Sequence, residues 1–166
     1  MIFPQFENIE VIDKIREKYD PLAFLARPHI TLVFPFEHPM SNSELESVLD
    51  KRLSDIPAFD LEMQGFAKQE DIGWGHWLSL DVTRGEEMIR KIHDVLYENE
   101  LSSCKVEFPY APHMTVGRLF DKAEADAAYD SIKSNDTVFS TKVDKISVEM
   151  IGPHEESIII IEKSLI

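Results

Sequence analysis

The sequence predicts a single α+β domain of two small β/α lobes, largely antiparallel, and three observations carry that reading. A five-residue pattern of proline, histidine, apolar, threonine, apolar occurs as Pro28-His29-Ile30-Thr31-Leu32 and again as Pro112-His113-Met114-Thr115-Val116. Helical periodicity precedes and follows each copy, so the halves share one plan suggestive of a pseudo-twofold repeat. The remaining apolar segments alternate with period two, as half-buried strands do. No low-complexity linker separates the halves, so residues 1–166 read as one domain.

Taken in order, Met1 to Phe6 suits a short first strand that Pro4 would confine to a sheet edge. Asn8 is placed to cap a helix carrying Ile9, Ile12, Ile15 and Tyr19, closed by Asp20-Pro21. The first His-x-Thr segment follows as a strand. Ser43-Glu44-Leu45-Glu46 reads as a capping box opening a helix with Leu45, Val48, Leu49 and Leu53 inward. Phe59, Leu61 and Met63 share one strand face, and Leu78, Leu80 and Val82 share another. Glu86 to Leu101 then places Ile89, Ile92 and Leu96 on one side of a helix. After the second His-x-Thr strand, Asp121 to Glu124 opens a looser helix with Ala123, Ala127 and Ile132 inward. Ile146, Val148 and Met150 alternate, a turn falls at Gly152 to Glu155, and Ser157 to Leu165 supplies the hairpin partner.

Composition bounds the function. Apolar residues at 43% and charged residues at 29% are ordinary for a globular chain long enough to bury a core. The longest aliphatic run, Ile158 to Ile161, suits a buried strand and is far short of a membrane span. No export signal is visible, and Cys104 is the only cysteine, which excludes an intramolecular disulfide and a Cys-rich zinc site. Together these features predict a cytoplasmic protein with no membrane partner. The net charge of −14 opposes a long polyanion, because non-specific nucleic-acid affinity comes from Lys and Arg displacing counterions. A nucleic-acid substrate is therefore expected to be small, or recognised at its end, and long RNA is disfavoured. Much of this charge is explained as a solvated surface that aids solubility.

The repeated motif carries the chemistry. Residues i and i+2 of a strand point the same way. His29 and Thr31 would share one face against Ile30 and Leu32, and His113 and Thr115 likewise against Met114 and Val116. Phosphodiester cleavage calls for one neutral imidazole to take a proton from the attacking oxygen and one imidazolium to protonate the departing one. Histidine serves both roles because it titrates near neutrality. Threonine hydroxyls can donate to the non-bridging oxygens as charge builds there. This chemistry asks for no metal and no cofactor. A lone His-x-Thr on a strand is usually structural; the matched pair, each behind a proline, is what points to a site.

The repeated H-φ-T-φ resembles the two-histidine (2H) phosphoesterase superfamily, which includes bacterial 2′-5′ RNA ligase-like proteins and RNA 2′,3′-cyclic phosphodiesterases. The segments Lys18-Tyr19-Asp20-Pro21, Pro28 to Leu32, Pro35-Phe36-Glu37 and Pro112 to Gly117 look particularly like a small bacterial subgroup. The resemblance implies a bilobal fold whose two antiparallel sheets line a central cleft. It also implies action on a 2′,3′-cyclic phosphate, a related cyclic phosphate or a 2′-5′ linkage, in a small nucleotide or at an RNA terminus. His29 and His113 would form the acid–base pair, in either order, with Thr31 and Thr115 binding phosphate. Arg118, five residues after His113, matches an arginine of ligase-like relatives that would neutralise phosphate. Strict alternation puts Arg118 on the face opposite His113, and only a bulge or strand end at Gly117 would return it to the cleft. A surface arginine is the competing reading. The first half has Phe34 at the corresponding place.

Other candidates are weaker. Trp74-Gly75-His76-Trp77 could stack a base or simply seal a core edge. Phe34, Phe36, Phe108 and Tyr110 suit cleft walls or core, and Arg27 a phosphate contact or an exposed position. His38, His76, His93 and His154 have no metal-ligand spacing, and neither HExxH, HxHxH nor a phosphate-binding glycine loop occurs. A non-catalytic nucleotide- or RNA-end-binding module on the same scaffold fits the same motifs, because a scaffold does not fix a reaction. A metal-binding protein using His and carboxylates is the third and weakest reading.

Overall fold

The computed structural model describes every residue except His38, Ile72, Trp74 and Phe108, so the base-stacking, cleft-wall and metal-ligand readings raised for His38, Trp74 and Phe108 lie outside the described residues. The elements run α1 (Glu10–Tyr19), α2 (Asn42–Leu53), β1 (Phe59–Asp71), β2 (Gly75–Arg84) and α3 (Glu86–Leu96). A 3-10 helix (Asn99–Cys104), β3 (His113–Leu119), α4 (Lys122–Ile132), β4 (Phe139–Val143), β5 (Lys145–Ile151) and β6 (Ser157–Ser164) follow. One sheet has the order β3-β2-β1-β4 and the other is the β5-β6 hairpin; every pairing is antiparallel. The architecture is the expected α+β arrangement of curled antiparallel sheets with flanking helices.

Isolated backbone bridges join the two sheets. The Ile2 and Ile30 backbones exchange hydrogen bonds at 3.0 and 2.9 Å, and Ile30 also bridges Met114 of β3. On the other side, Met1 and Ser147 of β5 exchange bonds at 2.8 and 3.0 Å. The pairings therefore run from the hairpin through Met1-Ile2 and Ile30 to β3. Helix α1 packs on β3, α4 on β1, β2 and β3, and α2 on β6 and α3. Ile2, Ile30, Leu61, Met63, Leu78, Leu80, Met114 and Val116 are all at most 1% exposed and form the shared core. Each such side chain gains roughly 1.5–3 kcal/mol from burial.

Several elements differ from the sequence reading, each for a local reason. Met1-Ile2 is no edge strand, since it pairs on both sides; Pro4 lies past these pairings, so its missing N–H costs no bond there. The first His-x-Thr segment is not a regular strand, because only Ile30 makes bridges, whereas the second lies in the seven-residue β3, so the two copies of the motif do not sit in equivalent structure. The Asn8 side chain does not cap α1 but donates to the Val138 carbonyl at 3.1 Å. The capping box of α2 is Ser41 with Glu44, two residues before Ser43. Helix α3 stops at Leu96, and Asn99, with φ of 51°, begins the 3-10 turn. Asp121 caps α4 as expected, but Ala125 and Ala128 face inward instead of Ala123 and Ala127, since a run of alanines carries little periodicity. Strand β4 has no clear sequence signature because only its two ends, Phe139 and Val143, are buried. Among the described residues no helix is long and apolar enough to cross a membrane.

Candidate active site

The bridge between Ile30 and Met114 brings the two motifs together. Both residues are wholly buried, so their neighbours one position away point to the opposite, open face. Antiparallel register sets Thr31 beside His113 and His29 beside Thr115. The two histidines are then diagonal neighbours, a relation that sets residues about 7–8 Å apart. Each threonine thus stands beside the other motif's histidine.

Both rings are oriented by the same device. His29 Nδ1 lies 2.8 Å from the Arg27 carbonyl oxygen, and His113 Nδ1 lies 2.8 Å from the Ala111 carbonyl oxygen. A carbonyl can only accept, so each Nδ1 carries the hydrogen and each Nε2 is left for chemistry. Arg27 and Ala111 both precede a proline, which restricts their backbones to extended conformations and so steadies the accepting carbonyl. The proline before each histidine has this physical use.

The surroundings of the two rings differ. Burial holds the His29 imidazole below its ordinary value, an effect only partly opposed by the Arg27 carbonyl and the Glu149 charge. The Phe3 ring lies 5.7 Å from the His29 ring, and the Arg27 guanidinium sits 4.4 Å above Phe3. Arg27 is thus gathered on the His29 side. His113 stands opposite Asp81 of β2 in the sheet register. Burial raises the Asp81 carboxyl, and the charge of His113 draws it back down. Ser79, opposite Thr115, is near enough to lower Asp81 as well, yet its fully buried hydroxyl makes no hydrogen bond of normal geometry.

Arg118 joins this face through a bulge. Ser79 pairs with Thr115 and Leu78 with Gly117, leaving Val116 as an extra residue on β3. Alternation resumes with Arg118 opposite Trp77, on the same face as Ser79, Asp81, Thr115 and His113. Gly117 permits it: a β-carbon there would come within 2.9 Å of Tyr19 Cβ and 3.2 Å of Leu78 Cδ1. The Arg118 guanidinium lies 5.2 Å from the Phe120 ring. The strict-alternation placement is therefore corrected, and His29, Thr31, His113, Thr115 and Arg118 gather on one face.

The other candidates separate. Trp77 is on the site face, its indole nitrogen buried without a hydrogen-bond partner, whereas His76 points away and lies 4.0 Å from Glu70. His154 is exposed in the hairpin turn. Phe34 and Phe36 line a mainly apolar cavity of about 780 Å³ with Leu45, Leu96, Ile146 and Met150. Neither histidine lines this cavity, though its wall includes Glu149, whose charge acts on the His29 imidazole. His93 and Tyr97 carry no functional signal in the sequence, yet they and Tyr110 hold the backbone after Thr31. Asp81 and Glu149 carry none either, since only the tertiary structure sets Asp81 opposite His113 and brings the Glu149 charge to bear on His29. Among the described residues, no three His, Cys, Asp or Glu side chains gather closely enough to hold a metal ion.

The family model of the 2′-5′ RNA ligase superfamily matches residues 4–150. The chain belongs to the 2′-5′ RNA ligase superfamily. Among similar members, a Geobacillus kaustophilus protein provisionally named a phosphoesterase is 26% identical over 146 residues, covering 87% of this chain and 82% of that protein. A Bacillus licheniformis protein with the same kind of name is 24% identical over 151 residues, covering 87% of this chain and 84% of its own. Two solved structures resemble this chain in fold. The Thermus thermophilus protein TT0787 aligns with a TM-score of 0.60 at 13% identity over 99% of this chain and 96% of that one. A structure described as a phosphoesterase aligns with a TM-score of 0.56 at 16% identity, covering 99% and 97%.

Proposed function

We propose that this superfamily member is a phosphoesterase that hydrolyses a 2′,3′-cyclic phosphate in a small nucleotide or at an RNA end, with His29 and His113 as its acid–base pair. The observation that carries the reading is the convergence of both imidazoles and both threonine hydroxyls on one face, each Nε2 available. The phosphoesterase names of the relatives agree with it.

His29 is the base, because burial favours its neutral form. Its Nε2 takes a proton from water as the water oxygen bonds to phosphorus. His113, protonated at Nε2, gives its proton to the ribose oxygen as the phosphorus–oxygen bond breaks. Thr31 and Thr115 donate to the non-bridging oxygens, and Arg118 offsets their growing charge. Exchange with solvent then restores both rings. Two imidazoles supply both proton transfers, so no metal-bound hydroxide is required. The same pair can act on a 2′-5′ linkage, with a ribose hydroxyl in place of water for the reverse direction. The net charge of −14 favours small or terminal substrates over long RNA.

The test incubates the protein in EDTA with 2′,3′-cyclic nucleotides and short cyclic-ended RNAs, and identifies 2′- or 3′-phosphate products. Turnover in EDTA is expected. Tight nucleotide binding without turnover across the panel would replace the enzyme reading with that of a binding module.

A further inference from the structure

The two motifs are held by different means. His113 and Thr115 lie within β3, whose backbone is laddered to β2. The first motif joins no ladder beyond Ile30, and its backbone turns away at Leu32-Val33. Side chains from outside take over there. Tyr110 Oη donates to the Thr31 carbonyl at 2.6 Å, and His93 Nδ1 donates to the Leu32 carbonyl at 2.7 Å. The Phe34 N–H donates to Tyr97 Oη at 3.0 Å.

These three rings form one packed group. His93 stacks on Tyr110 with ring centroids 3.7 Å apart and planes at 1°, and meets Tyr97 edge-on at 4.9 Å. His93 is 3% exposed and Tyr97 also 3%, so the group is a built feature rather than a surface coincidence. Burial drives the Tyr110 hydroxyl upward in pKa and keeps it a donor. The Tyr110 carbonyl in turn accepts from Arg90 of α3. Most tellingly, the next carbonyl along the chain, that of Ala111, is the one that fixes the His113 ring.

We infer that Tyr110, backed by His93 and Tyr97, is the positioning residue that registers the first His-x-Thr motif against the second. Its hydroxyl holds the Thr31 backbone while the adjoining peptide holds His113, so one dipeptide, Tyr110-Ala111, ties both halves of the site. None of the three rings is assigned contact with the reacting atoms. The inference rests on the proposed use of the two histidines, and acts through their geometry, where a displacement of about 1 Å costs as much as a hundredfold in rate.

Tyr110→Phe keeps the ring and its stacking and removes only the hydroxyl. Two readings are taken: kcat and KM on a 2′,3′-cyclic nucleotide, and the imidazole 15N NMR signals of His29 and His113. The expected result is a fall in kcat of roughly ten- to a hundredfold with KM within about twofold, and a shifted or broadened His29 signal. His93→Asn, which retains an N–H for the Leu32 carbonyl, should keep most of the activity that His93→Leu loses; this pair decides the matter if Tyr110→Phe does not fold. Wild-type kcat together with unchanged His29 signals in Tyr110→Phe would overturn the inference, as would equal activity of the two His93 variants. If the wild-type protein turns over no substrate, the NMR readings still test the positioning role while the functional reading fails alone.

Discussion

Ile30 and Met114 face each other across a single antiparallel bridge, both with no exposed surface, and that contact sets the geometry of the site. With these two side chains in the core, His29, Thr31, His113 and Thr115 have one common direction left to them. Met114→Ala should therefore cost about 2–5 kcal/mol of stability, as large-to-small core changes do. It should also lower activity more than an equally destabilising change remote from the bridge. Urea denaturation paired with kinetics checks this; loss of stability with full activity would show that the bridge does not set the site.

Arg118 depends on the bulge at Val116-Gly117. Arg118→Ala should lower kcat/KM for a cyclic phosphate by about ten- to a hundredfold, the loss of a charge-assisted hydrogen bond worth roughly 1.5–3 kcal/mol. Gly117→Ala forces a β-carbon against Tyr19 and should cost about 1–3 kcal/mol by overpacking. Steady-state kinetics of the first and thermal denaturation of the second provide the checks. An unchanged kcat/KM in Arg118→Ala would remove Arg118 from the phosphate site.

Desolvation of the His29 and His93 imidazoles makes stability pH-dependent. Burial lowers both His29 and His93 in the folded state, so the unfolded chain binds more protons near and below the ordinary histidine value of about 6.5. Their contribution is complete above that value and is lost as the pH falls from it toward the lowered folded values. The wild-type Tm should accordingly drop between about pH 7.5 and about pH 5.5 by more than that of His93→Asn, which lacks one of these groups. Equal drops in the two proteins would contradict the assignment for His93.

The site is more legible in the sequence than its supports. Strand parity alone pairs Thr31 with His29 and Thr115 with His113, and the prolines mark where the backbone is stiffened. Register is what parity lacks. The cross-strand exchange of threonines follows from which residue faces Ile30, and that is a tertiary fact. Asp81 reads as an ordinary polar position in an alternating strand until β2 is set against β3. His93 and Tyr97 sit on the apolar side of a helix and its end, where spacing suggests core packing and hides their hydrogen bonds to the backbone. Arg118 is the instructive case, because parity gives the right face for an unbulged strand and the wrong one for β3.

If two histidines on one face share the proton transfers, replacing either one must remove most of the turnover. Hydrolysis of a 2′,3′-cyclic nucleotide in EDTA should fall by about 10²–10⁴-fold in His29→Ala and in His113→Ala, the range for losing a general acid or base. Folding, followed by circular dichroism, should be retained in both. Wild-type turnover by either folded variant would rule out the two-histidine mechanism.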